Sequence, residues 1–313
     1  LLAEGFTGRD LISIKDISKH DIEEVLGLAE RMSKRNRLDI AYDKLATLFF
    51  FEPSTRTRLS FEAAMYRLGG HCLSIHDARS TSLEKGESLS DTFKILDSYG
   101  DVLLIRHSDP AVVKLAAEVA KNPVINAGAG WDEHPTQALI DAYIIRNSLG
   151  RLDGLTFCIL GDLKYSRAAR SLLLLLDKFK ARVYLVSPPA LEMDPSLMAG
   201  SQNAPIVRGE LSDVIDEIDV LYVTRVQKER FPSAEEYEAV KGSYRVTMDS
   251  LRGCKPNMIV IHPLPRVDEL GTDIDRTPHA RYFQQAGLGI SLRMALLALT
   301  LGVDGRMSVP ELI

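Results

Sequence analysis

The sequence predicts an α/β fold of two doubly wound parallel-sheet domains, with the active site in the cleft between them. Three observations lead there. Apolar runs of strand length alternate with segments of helical period, the mark of parallel sheets covered on both faces. The series breaks at Asn147–Gly154 and starts again, which makes two domains; 313 residues suffice for two cores. In both series, polar residues gather at the carboxyl ends of predicted strands, where open parallel sheets bind ligands.

In chain order, Lys15 to Ser33 reads as a helical region with Ile22, Val25, Leu26 and Ala29 on its apolar stripe. Leu45 to Phe51 is a strand. The next helix places Phe61, Met65 and Leu68 on one face and ends at Gly69-Gly70. Asp101–Ile105 and Pro123–Asn126 are short buried strands. The second series contains the strand Leu155–Leu160, a leucine-rich helix to about Phe179, and the runs Arg182–Val186, Asp219–Val223 and Met258–Ile261. The helix Ile290 to Leu301 has no strand after it and is expected to pack back onto the first domain. The expected limits are residues 1–147, completed by 286–313, and residues 148–285.

Composition narrows the function. A hydrophobic fraction of 45% and a charged fraction of 26% are ordinary for a globular protein. A net charge of −5 argues against a sequence-independent nucleic-acid binder, which needs a basic face. Cys72, Cys158 and Cys254 lie far apart without metal-type spacing, so neither a metal nor a disulfide framework is expected, and the compartment is expected to be reducing. No apolar run is long enough to span a membrane; Ile290–Leu301 is interrupted by Arg293. Leu1-Leu2-Ala3-Glu4 does not read as a signal peptide.

The most informative segment is Ser54-Thr55-Arg56-Thr57-Arg58, joined to the strand before it by Glu52-Pro53. A helix opening there presents free N–H groups and a positive dipole end, and hydroxyls with a guanidinium fork would make that point a phosphate clamp. A capped helix with two exposed arginines is the other reading, and both stay open on the pentad alone. Further strand ends carry Arg106-His107, Asn126, Asp162-Leu163-Lys164, Thr224-Arg225 and His262-Pro263-Leu264-Pro265-Arg266. Each could be a solvated loop; together they point to one cleft. His134-Pro135-Thr136-Gln137 opens a helix after Gly128-Ala129-Gly130. A His at that place is usually a capping or packing residue, but a helix start favours the neutral imidazole, which can donate to a carbonyl. Ser80 to Gly86 reads as a mobile polar loop with a solvated Lys85. The 262–265 segment offers mainly carbonyl acceptors, which suits an NH2 group, and Leu264–Pro265 is the candidate cis bond.

These pieces, with Phe50-Phe51-Glu52-Pro53 before the pentad and Val226-Gln227-Lys228-Glu229-Arg230 and Val267-Asp268-Glu269 after the later motifs, resemble the aspartate/ornithine carbamoyltransferase family over nearly the whole chain. The pentad is shared by all its members. The motifs at Gly161–Tyr165, Thr224–Arg230 and His262–Glu269 resemble the catalytic chains of the aspartate branch; the ornithine branch would carry Cys in place of Pro263. The resemblance implies a transferase of pyrimidine biosynthesis with a carbamoyl phosphate-binding first domain and an aspartate-binding second domain. It implies that Ser54, Thr55, Arg56 and Thr57 hold phosphate, and that Thr57, Arg106 and His134 stabilise the oxyanion. Gln137 and the carbonyls of Pro263 and Leu264 would hold the carbamoyl NH2, with Arg167, Arg225 and Gln227 on the carboxylates of aspartate. Ser82 and Lys85 would serve a neighbouring subunit's site, Lys85 at the aspartate as well, in a cytoplasmic homotrimer. Zinc-containing regulatory chains enter as partners the family can have, the zinc being theirs. Glu52 would pair with Arg167 and Arg230, or form only a surface ion pair.

No cofactor or side-chain nucleophile is required by this chemistry. The chain departs from the family's pattern in three places: Ala129 for an expected Asp, the bulky acidic Trp131-Asp132-Glu133, and Ser166 where Gly is common. Rival readings are a transcarbamoylase for another amine such as ornithine and a non-catalytic regulatory homologue. A nucleotide-binding oxidoreductase would need a G-x-G-x-x-G turn that Gly161-Asp162-Leu163-Lys164 does not supply.

Overall fold

The computed structural model describes residues 5–77, 81–199 and 201–306. The readings placed on Leu1–Glu4, on Ser80 and on the end of the 286–313 segment fall outside these. Helix α1 (Lys19–Ser33) starts at a capping box between Ser18 and Asp21. It precedes strand β1 (Leu45–Phe50), helix α2 (Thr55–Arg67), β2 (His71–Ile75), α3 (Leu89–Tyr99), β3 (Val102–His107), α4 (Pro110–Val119) and β4 (Val124–Ala129). The four strands form a parallel sheet in the order β2-β1-β3-β4. After α5 (Pro135–Leu149) come β5 (Thr156–Gly161), α6 (Arg167–Leu176), β6 (Arg182–Val186), β7 (Ile206–Arg208), β8 (Val220–Thr224), α7 (Ala234–Val240), β9 (Ile259–Ile261) and α8 (Tyr282–Thr300). These five strands form a second parallel sheet, β7-β6-β5-β8-β9.

Strand order locates the ligand-binding ends. In the first sheet the chain moves outward from β1 to β2 and then returns to the other side at β3. In the second it moves from β5 through β6 to β7 and returns at β8. The points where the order reverses are therefore β1/β3 and β5/β8, and ligands of such sheets bind beyond the strand ends there. Register sharpens this: Phe50 sits beside Arg106 in the first sheet and Gly161 beside Thr224 in the second. Gly161 has φ +122, and a Cβ there would run into Thr224 O and the Tyr244 hydroxyl, so only glycine lets the two strand ends approach.

Each sheet has its own core. Phe49, Phe93, Leu103, Ile105, Val113 and Val124 pack together in the first, and Cys158, Tyr184, Leu221, Val223, Val260 and Ile274 in the second. Each such side chain contributes about 1.5–3 kcal/mol on burial. The chain divides into two compact units, Leu1–Thr136 with Leu288–Ile313, and Gln137–Gly287. The divisions fall inside α5 and α8, whereas the turn residues at Asn147–Gly154 mark the end of α5. Residues after Leu288 belong to the first unit, where Gly8 N–H donates to Thr300 O at 2.9 Å.

Several limits shift from expectation. Arg106 and His107 lie within β3, because the ladder continues: Phe51 N–H donates to Arg106 O at 2.9 Å. Asn126 lies inside β4, and its amide is committed to Ile12 O and Gly128 N–H at 2.8 Å each; it is structural. Ser82–Lys85 forms a 3-10 turn closed by Gly86 at φ +88, in place of an irregular loop. The Leu264–Pro265 bond is cis. All three cysteines are free thiols.

Candidate active site

In the first unit, β1 gives way to α2 at Ser54, the N-cap. Its backbone is extended (φ −161, ψ 90) and its side chain makes no capping bond. Helix capping therefore does not consume this hydroxyl. Arg58 is committed to Glu62 at 3.1 Å, so of the two arginines Arg56 is the one exposed beside Thr55 at the helix tip, with Thr57 buried behind it. Arg106, buried at the end of the neighbouring strand, donates from Nη1 to Ala127 O at 3.3 Å, and its Nε lies 3.3 Å from Glu52 Oε2. Glu52 thus pairs with Arg106 inside this unit. The carboxylate and the β4 carbonyl aim one cationic fork beside the helix tip.

His134 is buried, and Nδ1 lies 3.4 Å from Thr136 Oγ1. The turn leading to it is anchored by a residue whose role was not legible in the sequence. Glu133, 4% exposed, accepts from Ser13 Oγ at 2.6 Å and from Ile14 N–H at 2.9 Å. Its own carbonyl accepts from Ala129 N–H at 3.0 Å. The acidic departure before His134 is therefore a buried anchor. Ala129 joins the core, and Trp131 is exposed. Ser82 and Lys85 are exposed on their turn, and neither side chain is hydrogen-bonded to another described residue.

In the second unit, Asp162 is fully buried at the end of β5 and organises the strand ends. Its Oδ1 accepts from Tyr165 N–H and its Oδ2 from Gln227 N–H, both at 2.9 Å. Burial raises its pKa, and these backbone hydrogen bonds oppose the rise. Gln227 in turn donates Nε2 to Arg225 O at 3.1 Å. Arg225 places both terminal nitrogens on the carboxylate of Glu229, one contact being 3.0 Å. That is the fork-to-carboxylate geometry an acidic ligand would need. Arg167, buried, is the first residue of α6, whose positive end favours carboxylates. Ser166 caps this helix by accepting from Ala169 N–H at 3.3 Å, a bond glycine could not provide.

The 262–265 segment is an acceptor surface by construction. His262 is buried; burial lowers its pKa and Glu269 opposes this. Burial is the largest single influence on Glu269 and pushes it up, but the hydrogen bond and charge interaction with His262, with backbone N–H donors, together leave the carboxylate below its usual range. The pair is thus a neutral imidazole donating Nε2–H to an ionised Glu269, at 2.7 Å. The remaining ring nitrogen, Nδ1, accepts from Leu264 N–H at 2.8 Å. With that N–H used and none on Pro263 or Pro265, carbonyls are the backbone groups these three residues leave for a ligand. Leu264 holds φ +54, a strained value for a branched residue. Gln137 donates Nε2 to Asp141 Oδ1 at 2.8 Å.

Within the first unit, then, Ser54–Thr57 and Arg106 meet at one sheet end; within the second, Asp162, Arg225 and Gln227 do. Among the described residues no cluster of three or more His, Cys, Asp or Glu could hold a metal. No described helix is long and apolar enough to cross a membrane.

Residues 9–147 match the family described as aspartate/ornithine carbamoyltransferase, carbamoyl-P binding domain, and residues 153–300 match its Asp/Orn binding domain. The aspartate carbamoyltransferase catalytic subunit of Thermococcus onnurineus is 50% identical over 303 residues, covering 95% of this chain and 98% of its own. That of Korarchaeum cryptofilum is 51% identical over 292 residues, covering 93% and 97%. Among solved structures, aspartate transcarbamoylase from Trypanosoma cruzi in complex with N-(phosphonacetyl)-L-aspartic acid superposes with a TM-score of 0.89. It is 40% identical, with 95% of this chain and 97% of that one covered. The catalytic subunit of M. jannaschii aspartate transcarbamoylase gives 0.83 at 44% identity, covering 92% and 96%.

Proposed function

Since the chain belongs to the aspartate/ornithine carbamoyltransferase family, we propose that it transfers the carbamoyl group of carbamoyl phosphate to the amino group of L-aspartate. The products are N-carbamoyl-L-aspartate and phosphate, in the synthesis of pyrimidines. A C–N bond forms at the carbamoyl carbon, the C–O bond to phosphate breaks, and the departing phosphate takes the proton lost by the amine. Ser54, Thr55, Arg56 and Thr57 hold the phosphate. Thr57, Arg106 and His134 donate to the carbonyl oxygen as it gains negative charge, usually the largest source of rate. Gln137 and the carbonyls of Pro263 and Leu264 receive the NH2. Arg167 and Arg225 each take one carboxylate of aspartate, with Gln227 assisting.

The observation that carries the acceptor assignment is Arg225, whose fork already holds a carboxylate, that of Glu229. A cationic acceptor such as ornithine would be repelled there. The active form is a homotrimer in the cytoplasm, in which Ser82 and Lys85 of one chain complete the site of its neighbour. Their exposure, without a side-chain hydrogen bond to another described residue, supports this part of the reading, and zinc-bearing regulatory chains are partners such a trimer can take. The test is phosphate release from carbamoyl phosphate with a panel of amines. Aspartate is expected to be turned over and ornithine not; a preference for ornithine overturns the acceptor assignment.

A further inference from the structure

Behind the proposed amine subsite lies a buried polar network that links its two halves. Asp141 is fully buried on α5. Its Oδ1 accepts two amide donors, Gln137 Nε2 at 2.8 Å and Gln285 Nε2 at 2.5 Å. Gln285, 1% exposed on α8, accepts the His262 N–H on its Oε1 at 3.0 Å. The Asp141 carboxyl thus joins Gln137 to the segment that carries the Pro263 and Leu264 carbonyls. The remaining oxygen, Oδ2, and the buried Tyr222 hydroxyl interact electrostatically without a hydrogen bond of ordinary geometry.

The chemistry of the partners decides which way each amide points. The Asp141 Oδ1 contact needs donors, so both glutamines must turn Nε2 toward it. A backbone N–H needs an acceptor, so Gln285 must turn Oε1 toward His262, as it does. For Gln137 the consequence is that Oε1 is the atom left to meet a ligand. We propose that Asp141 is a positioning residue that makes the amine subsite accept hydrogen bonds only, and so selects carbamoyl phosphate over acyl phosphates that lack the NH2. Without Asp141, the Gln137 amide could rotate and offer Nε2. The site would then lose its bias against a methyl group or an oxygen in that place.

This rests on the proposed function, and the test separates the two. Dissociation constants of carbamoyl phosphate and acetyl phosphate, in which methyl replaces the amine, are measured for the intact protein and its variants. A site built around hydrogen bonds loses discrimination when one of them is removed. Asp141→Ala is expected to weaken carbamoyl phosphate about tenfold and acetyl phosphate less than about twofold, the loss of roughly one hydrogen bond. Asp141→Asn, whose carbonyl oxygen can still accept both amides, is expected to keep the wild-type ratio within about threefold. If Asp141→Ala does not fold, Gln285→Leu cuts the same network from its other end and is expected to lower the ratio likewise. Parallel weakening of both ligands, an unchanged ratio, or Asp141→Asn behaving like the alanine variant would each overturn the proposal. A wild-type protein that neither binds carbamoyl phosphate nor carbamoylates aspartate would instead refute the function on which it rests.

Discussion

Arg56 and Arg58 are two residues apart, yet Arg56 is exposed and Arg58 only partly so. Arg58 is held by Glu62, which also accepts from Ser74 Oγ at 2.6 Å, while Arg56 stands exposed at the helix tip. Arg56→Ala is therefore expected to lower turnover by about a thousandfold or more, the scale of losing a transition-state donor, with the melting temperature unchanged. Near-normal activity would remove the pentad from the mechanism. Asp141 makes a separate statement about stability. Burial pushes its carboxyl from 3.8 up to about 7, against the hydrogen bonds from Gln137 and Gln285 and the electrostatic interaction with Tyr222. A raised native pKa means the stabilising, protonated form is fully present in both states below pH 4 and is lost as pH rises through about 7. Asp141→Asn should remove a decline on the order of 4 kcal/mol across that window. Urea unfolding of both proteins at stepped pH checks this; a difference that does not vary between pH 4 and 7 would contradict it. The residues that receive ligands were legible as types in a pattern. Of those that aim them, Asp162 stood among the polar strand ends without its organising role, and Asp141 and Glu133 were not legible in a functional role. Each has at least one remote partner, Gln285 standing 144 residues from Asp141, and no local spacing encodes such a contact.

At the scale of elements, legibility followed burial. β3 and β8 are buried along nearly their whole length and stand out as apolar runs. β2, with a mixed exposure pattern, and the three-residue β7 do not, since an edge strand needs only one covered face. The helices α3, α4 and α7 were implied by the alternation without being delimited. The apolar run Ile290–Leu301 marks only the later part of α8, and in it Arg293 stands out as an interruption. It is a buried cation lying 4.8 Å over the ring of Phe61, donating to Gly289 O at 3.4 Å. Burial lowers its pKa to about 9. Arg293→Met should therefore stabilise the protein by about 1–3 kcal/mol, since a buried charge without a carboxylate partner among the described residues costs more than its contacts return. A lower denaturant midpoint than wild type would show that Arg293 is better compensated than its contacts indicate. Glu133→Ala is expected to act in the opposite sense. It leaves Ile14 N–H without its acceptor, costing about 1–3 kcal/mol, and should reduce activity through His134; a change in neither would leave this turn without the role described.

For the molecule as a whole, the two sheets were readable because each repeats the same strand-then-helix unit, and the break between series is a local signal. The division at Thr136/Gln137 was not readable, since a continuous helix passes through it. Assembly is a property of several chains, and it is testable with two inactive variants. If Lys85 serves a neighbour's site and Arg56 its own, trimers mixed from Arg56→Ala and Lys85→Ala chains contain some sites with both residues intact. Activity should reappear on mixing after dissociation, and its absence would argue that each chain uses its own Lys85. The free thiols add a practical corollary. Cys72 is pushed up to about 12 by burial, and Cys158, within the core, and Cys254 are raised in the same way. Alkylation and disulfide exchange require the thiolate, so at neutral pH the folded protein should scarcely consume maleimide. It should also tolerate handling in air without added reductant, and the appearance of a fast-reacting sulfhydryl would serve as a sensitive early alarm for partial unfolding.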